Sequence, residues 1–173
     1  MTSKDFMNAV ANGTSDVVQV FLDTLAELDA EYCIIGGLAV NAYTEPVVSL
    51  DIDMVIAAGD VEKLCDAVKK LFTIERFAHS INLTSSQSDL RIRLQTDSRY
   101  QEFLRNATVR EVLGYQMRVA ALEDVLQGKI WAYSDEERRL SKRQKDLADI
   151  LRIVEAYPAL GEKLPASLRE MLK

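Results

Sequence analysis

The sequence predicts an α/β (α+β) protein, with a small, mixed and mainly antiparallel sheet, helices on one face and further helices at the C-terminal end. Three observations predict this class. Up to residue 119, segments with apolar residues at helical spacing alternate with short strand-like runs. From Ala120 onward only the helical spacing recurs. The length of 173 residues suits one domain over residues 1–173, with 15–119 as the α/β core and 120–173 as its helical portion.

The N-terminal part of the core is expected to alternate helix and strand. Ser15 is a candidate N-cap for a helix whose apolar positions recur from Val18 to Leu28. The run Tyr32–Ile35 predicts a short buried strand, and the pair Gly36-Gly37 ends it. The elements expected next are a short helix over residues 38–43, a β-rich segment over 47–57, and a helix that Asp60 caps over 61–72.

The rest of the core is expected to form strands, and the C-terminal portion helices. The predicted strands cover residues 73–77, 79–84 and 89–95. Residues 108–119, around Gly114, favour a further hairpin, with a helix left open. The predicted helices cover residues 122–133, a segment that ends near Glu155 before Pro158, and a short segment that Pro165 opens.

The composition is that of an ordinary globular protein. Hydrophobic residues make up 48% and charged residues 28%, which excludes collagen-like and largely disordered chains. The longest apolar run, Tyr32–Val40, is far shorter than the roughly 20 residues that span a bilayer, so no membrane segment is expected. Met1–Val10 lacks the apolar core of a signal peptide, and Cys33 and Cys65 lie in apolar segments. We therefore expect a cytoplasmic protein with reduced thiols.

Charge is distributed unevenly along the chain. The net charge is −6, which argues against simple affinity for nucleic acid. Residues 1–66 contain twelve acids and two bases, whereas residues 67–173 contain fifteen acids and nineteen bases. Taken alone, this asymmetry is also what the charged surfaces of helices produce.

Two carboxylates are expected to point the same way from one strand. Alternation places Asp51 and Asp53 on one face, about 7 Å apart, and Ile52 and Met54 on the other. Two ionised carboxylates this close require solvent, a basic side chain or a cation. Mg²⁺ takes oxygen ligands from one or two carboxylates together with water and substrate phosphate. An isolated pair of this kind is also typical of a half-exposed strand with two solvated acids.

The pair Gly36-Gly37 precedes these acids by thirteen residues and lies between a strand and a short helix. Glycines there allow a phosphate to approach the backbone, and a helix N-terminus offers free N–H donors. A tight turn without a ligand is the alternative for the glycines taken alone. With the acids downstream, the pattern predicts neighbouring phosphate and metal sites.

These residues resemble the signature of the DNA polymerase beta type nucleotidyltransferase superfamily, and within it the small AbiEii-like and related minimal nucleotidyltransferases. The resemblance implies that Gly36 and Gly37 hold a nucleoside triphosphate and that Asp51 and Asp53 bind two Mg²⁺ ions. It also implies a third acid on a later strand, for which Asp89 is the candidate. In the run from Asp89 to Leu94, Asp89 shares a polar face with Arg91 and Arg93, which is also what a surface ladder would show.

The resemblance extends to the C-terminal helices, where the AbiEii-like pattern has a lysine and then a basic-acidic pair. Lys129 and Lys145-Asp146 match these positions. Lys129 also falls on an apolar stripe, where its ammonium needs an anionic partner or a route to solvent. The window 138–145 has five bases and no acid, a pattern that suits a polyanion such as tRNA and equally a solvated helix face.

The resemblance implies a magnesium-dependent enzyme that moves a nucleoside monophosphate from the triphosphate to a hydroxyl of tRNA, a protein or a small molecule. It further suggests a toxin-like role with an antitoxin partner. Nucleotide contacts are expected at Gly36, Gly37, Lys129, Arg91 and Asp146. The chain departs from the family where Val48, Ser49 and Leu50 stand in place of the usual Arg and Thr. A catalytically silent member that binds a nucleotide or a partner is therefore the alternative.

Overall fold

The computed structural model describes all 173 residues, and its seven strands form one sheet in the order β3-β4-β5-β2-β1-β7-β6. The strands are β1 (Tyr32–Ile35), β2 (Asp51–Ile56), β3 (Thr73–Arg76), β4 (Ser80–Ser85), β5 (Ser88–Gln95), β6 (Thr108–Val112) and β7 (Tyr115–Val119). Only the β2–β5 and β1–β7 pairs are parallel; the other four are antiparallel. The predicted mixed, mainly antiparallel sheet is confirmed.

The chain also forms seven α-helices. They are α1 (Ser3–Val10), α2 (Val17–Glu27), α3 (Gly36–Val40), α4 (Val61–Val68), α5 (Leu122–Ser134), α6 (Leu140–Ala156) and α7 (Ala166–Met171). Three 3-10 segments cover Ala58–Asp60, Ser98–Asn106 and Pro158–Lys163. None of the helices is both long and apolar enough to cross a bilayer.

Several boundaries differ from those that the sequence predicts. Helix α1 was not predicted; its first turn is closed by a reciprocal capping box between Thr2 and Asp5. Helix α2 is capped by Asp16 rather than Ser15, because the Asp16 carboxylate accepts from the backbone N–H of Gln19 at 3.0 Å. The 3-10 segment Ser98–Asn106 was not predicted either, although its buried residues Tyr100, Phe103 and Leu104 recur at helical spacing.

The segment before β2 forms a loop although it is rich in β-branched residues. The side chain of Asn41 pairs with the backbone of Val47 in both directions: its Nδ2 donates to the carbonyl at 2.7 Å, and its Oδ1 accepts from the N–H at 3.0 Å. At Val47, the backbone groups that a strand ladder would use are therefore occupied by a side chain, and β2 begins only at Asp51.

The core consists of 44 buried apolar residues around the sheet. Phe21 of α2 packs edge-on against Phe72 after α4, with ring centroids 5.7 Å apart. On α5, Trp131 stacks on Phe103 and meets Tyr100 edge-on, which ties α5 to the segment Ser98–Asn106. Each such aromatic pair contributes about 0.5–1.5 kcal/mol beyond its buried area. The C-terminal helices are thereby fixed next to β5 and β2.

Both cysteines are free and buried, as the sequence predicts. Burial raises the pKa of the Cys33 thiol to about 12, with a further contribution from Asp124, so this thiol is neutral at physiological pH.

Candidate active site

The acidic pair on β2 lies on the polar face of the sheet. Asp51 and Asp53 are partly exposed, while Ile52 and Met54 between and after them are buried on the opposite face. The neighbouring strand β5 alternates in the same way, with buried Leu90, Ile92 and Leu94. Both strands therefore present polar side chains to the same side, as their alternation predicts.

Gly36 allows the chain to pass directly beside Asp53. Its φ is +70°, a conformation that favours glycine, and a Cβ at this position would lie 2.6 Å from Asp53 Oδ2. At Gly37, by contrast, a Cβ would lie 3.6 Å from Asp149 Oδ2, an ordinary contact distance. Only the first glycine of the pair is thus required by the local geometry, and the turn places the backbone against the carboxylate.

Two arginines from β5 stand opposite the two acids. The parallel register pairs Asp51 with Arg91 and Asp53 with Arg93. Arg91 Nε lies 2.9 Å from Asp51 Oδ1, whereas Arg93 Nε lies 3.9 Å from Asp53 Oδ1. Burial raises the pKa of the Asp53 carboxyl above its usual value, and Arg93 and Lys129 oppose this shift only in part.

The floor of the site is a charge network between α5 and α6. The buried Lys129 Nζ lies 2.9 Å from Asp146 Oδ1 and 2.7 Å from Asp149 Oδ2. Arg138 Nε donates to the other Asp146 oxygen at 2.7 Å. Burial opposes the charge on Lys129, but Asp149 and Asp146 outweigh it and raise the pKa of the ammonium. Lys129 is therefore charged at neutral pH.

The network continues to the loop that leads into β2. Arg152 Nη1 donates to Asp149 Oδ1 at 2.8 Å. Its Nη2 donates to Asn41 Oδ1 and Thr44 Oγ1, each at 3.0 Å, and to the Glu45 carbonyl at 2.6 Å. Arg152 thus links α6 to the segment that joins the glycine turn to the acidic strand.

These elements enclose a cleft of about 290 Å³ with an entirely polar lining. Six basic and four acidic side chains line it, together with Gly37, Ser49 and Asn82. The charged residues are Asp51, Asp53, Arg91, Arg93, Lys129, Arg138, Lys142, Lys145, Asp146 and Asp149. Lys142 Nζ also lies 3.6 Å from Asp51 Oδ2. The cleft therefore combines a carboxylate pair with an excess of positive charge, which favours an anionic ligand.

Asp89 does not join the other two acids. It lies at the start of β5, two residues before Arg91, and its exposed carboxylate accepts from Asn12 Nδ2 at 2.6 Å. No group of three acidic, histidine or cysteine side chains is arranged to hold a metal ion. The expected convergence of three carboxylates is absent because the register of β2 and β5 places arginines, and not Asp89, beside Asp51 and Asp53.

The structure brings the other predicted residues together and adds several more. Gly36 adjoins Asp53, and Gly37, Arg91, Lys129 and Asp146 line the cleft. Sequence reasoning missed the roles of Asp149, Arg152 and Asn82. Asp146, Asp149 and Arg152 follow one another at intervals of three on α6, a spacing that places them on one face and that could have shown the network.

The oxygen donors of the cleft suit one Mg²⁺. Asp51 and Asp53 supply the one or two carboxylates that this ion takes when it is shared with substrate phosphate. A second ion held by a third carboxylate does not fit, since Asp89 lies outside the cleft and Asp146 and Asp149 are paired with Lys129.

Comparison with known proteins identifies the fold. No family model and no curated protein matches the chain. Among solved structures, ANT(2")-Ia in complex with adenylyl-2"-tobramycin is similar over 91% of this chain and 97% of that chain, with 18% identity and a TM-score of 0.64. An antigenic nucleotidyltransferase-like protein from Paracoccidioides brasiliensis is similar over 99% and 87%, with 21% identity and a TM-score of 0.57. The lincosamide adenylyltransferase LnuA, lincomycin-bound, is similar over 82% and 98%, with 13% identity and a TM-score of 0.56.

The chain therefore has the nucleotidyltransferase fold. The predicted fold class is confirmed at this level, and its placement among AbiEii-like proteins stays a prediction.

Proposed function

We propose that the chain is a magnesium-dependent nucleotidyltransferase, which moves a nucleoside monophosphate from a nucleoside triphosphate to a hydroxyl acceptor in this cleft. The observation that carries the proposal is the pair Asp51 and Asp53, which faces a polar cleft with six basic side chains next to the Gly36 turn. The similarity to solved nucleotidyltransferases supports the same reaction class.

The roles of the residues follow from their chemistry. Asp51 and Asp53 would hold Mg²⁺, which when bound offsets the charge of the phosphates and of the leaving pyrophosphate. Lys142 and Lys145 on α6 would attract the triphosphate and neutralise part of its charge. Lys129 uses two of its three donors on Asp146 and Asp149, which leaves one for a phosphate oxygen. Positioning and charge compensation of this kind account for most phosphoryl-transfer catalysis.

The acceptor is a hydroxyl compound, and three classes are in question: tRNA, a protein and a small molecule. The solved structure of ANT(2")-Ia contains adenylyl-2"-tobramycin, and that of LnuA contains lincomycin. These favour a small hydroxyl-bearing molecule as the first class to test. A toxin-like role and an antitoxin partner rest on the resemblance, and both stay predictions. The cytoplasmic location rests on the lack of a signal-peptide pattern in Met1–Val10 and also stays a prediction.

Transfer of a labelled nucleotide tests the proposal. The protein is incubated with each α-labelled nucleoside triphosphate, Mg²⁺ and, separately, total RNA, cell extract protein or a panel of small hydroxyl compounds. We expect label in one acceptor class, lost with Asp51→Asn and retained with Glu62→Gln. Glu62 pairs with Arg76 outside the cleft, so Glu62→Gln is a matched loss of one ion-paired carboxylate. No transfer from any triphosphate to any acceptor would refute the enzymatic proposal.

A second candidate is a catalytically silent protein that binds a nucleotide. The arginines beside both acids and the remote position of Asp89 favour it. Thermal stabilisation by a triphosphate without turnover would support this candidate, whereas turnover would exclude it.

A further inference from the structure

Three polar residues lie side by side across adjacent strands on the face that lines the cleft. Asn82 of β4 is the register partner of Arg93 of β5, and Arg93 is the register partner of Asp53 of β2. Neighbouring strands are about 4.8 Å apart, so Arg93 is flanked on one side by a carboxylate and on the other by an amide. All three residues line the cleft.

Arg93 is held loosely in this row. Its Nε lies 3.9 Å from Asp53 Oδ1, beyond hydrogen-bond distance, whereas Arg91 approaches Asp51 to 2.9 Å. The side chain of Arg93 is 40% exposed toward the cleft. On its other side, Asn82 Oδ1 is buried and has no hydrogen-bond partner. A guanidinium with five donors thus lies between an acceptor that lacks a donor and a carboxylate that it does not fully engage.

Buried polar atoms without partners are rare and call for an explanation. A small turn of the Arg93 side chain toward Asn82 would satisfy the amide oxygen. The remaining edge of the planar guanidinium would then face the cleft, where it matches two oxygens of a phosphate group. Asn82 therefore explains how Arg93 can leave Asp53 and still be anchored.

The charge balance supports the same role. With Arg91 and Arg93 beside Asp51 and Asp53, the four side chains are neutral together. A third carboxylate would add a negative charge here and would need a second divalent ion to offset it. The guanidinium supplies positive charge at the same place without a metal ion.

We propose that Arg93 binds the triphosphate directly, anchored by Asn82, and takes the place of a second metal ion, so that the cleft holds one divalent cation per triphosphate. This inference rests on the proposed function, because it assumes that the anionic ligand is a nucleoside triphosphate. It assigns Arg91 a different role: its close pair with Asp51 keeps that carboxylate in place.

Equilibrium dialysis with Mn²⁺ and inorganic tripolyphosphate tests the proposal without turnover. We expect the parent protein to retain one Mn²⁺ per bound tripolyphosphate. Arg93→Gln should weaken tripolyphosphate binding by about 10- to 100-fold, the effect of losing hydrogen bonds to a charged group. Asn82→Ala should weaken it by a few-fold. Arg76→Gln, the control outside the cleft, should leave it unchanged.

Arg93→Asp tests the proposal through the number of bound Mn²⁺ ions, which should rise instead of staying at one. It places a third carboxylate beside Asp51 and Asp53, so we expect two Mn²⁺ per bound tripolyphosphate. Arg93→Lys keeps the charge but loses the two-pronged contact, and should bind at an intermediate affinity. Thermal unfolding shows whether each variant is folded. If Arg93→Gln does not fold, the tripolyphosphate affinity of Arg93→Lys is compared with that of the parent instead.

The outcomes separate this inference from the proposed function. Two Mn²⁺ per tripolyphosphate in the parent, or unchanged affinity in Arg93→Gln and Arg93→Lys, would overturn the role of Arg93 and leave nucleotidyl transfer standing. Failure of the parent to bind tripolyphosphate at any Mn²⁺ concentration would overturn both.

Discussion

A Cβ placed on Gly36 would lie 2.6 Å from Oδ2 of Asp53. The glycine is therefore needed for two reasons: its φ of +70° and the room that the carboxylate takes. The turn after β1 and the acid of β2 fit together only because one of them has no side chain. A side chain at position 36 would collide with the carboxylate in its present position.

The two glycines should differ sharply on substitution. Gly36→Ala should destabilise the protein by about 1–3 kcal/mol, the cost of a left-handed backbone with a side chain, and should displace Asp53. Gly37→Ala has room and lies in helix α3, so its stability should equal or exceed that of the parent. Denaturant unfolding and triphosphate binding check both. Equal losses in the two variants would contradict this account.

The three acids named from the sequence should not behave alike. Asp51→Asn and Asp53→Asn should each lower nucleotidyl transfer by more than about 100-fold, since each removes one of the two carboxylates that we propose as ligands of Mg²⁺. Asp89→Asn should change the transfer rate by less than about 3-fold, because its carboxylate contacts Asn12 outside the cleft. A substitution at such an exposed site also has little effect on stability. Steady-state transfer rates check this. If Asp89→Asn lowered the transfer rate as much as Asp51→Asn does, Asp89 would have to be counted among the active-site residues.

The stability of Asp53→Asn should depend on pH in a defined direction. Burial raises the pKa of Asp53 in the folded protein, so its charged form is disfavoured there relative to the unfolded chain. At pH values above this raised pKa the ligand-free Asn variant should therefore be more stable than the parent. As the pH falls through the raised pKa, the parent takes up a proton and the difference should shrink. Urea unfolding at several pH values measures it, and a difference that grows on acidification would contradict the prediction.

Loss of the buried ion pairs of Lys129 should destabilise the protein far more than loss of an exposed pair. Lys129→Met leaves Asp146 and Asp149 without their shared ammonium, and breaking such a pair costs about 3–5 kcal/mol. Lys163→Met is a matched control, because Lys163 and Glu123 form an exposed pair at 3.7 Å that is worth at most about 1 kcal/mol. Denaturant unfolding of the two variants gives the comparison. Similar losses in the two variants would contradict this prediction.

The contribution of Lys129 to the free energy of unfolding should be lost at alkaline pH. Its pKa is higher in the folded protein than in the unfolded chain, so its stabilising effect is complete below the unfolded pKa of about 10.4 and is lost as pH rises through the folded pKa. The difference in unfolding free energy between the parent and Lys129→Met should therefore narrow only in the alkaline range. Narrowing between pH 6 and 8 would point to another titrating group.

The features that depend on local periodicity can be read from the amino-acid order alone. Alternation along one strand was enough to place Asp51 and Asp53 on the same polar face, and the apolar run Tyr32–Ile35 gave the exact limits of β1. The hairpin of β6 and β7 follows from two strand-like runs around Gly114. Each of these features arises within a few residues, where backbone geometry leaves few choices.

Which charged side chains meet depends on how distant segments pack together. The register of the parallel strands β2 and β5, which are far apart in the chain, sets Arg93 beside Asp53 and leaves Asp89 with Asn12. A shift along a strand changes every cross-strand partner, and no local pattern encodes that shift. In the same way, the apolar stripe around Lys129 indicated that its ammonium needs an anionic partner. Only the packing of α5 on α6 shows that the partners are Asp146 and Asp149.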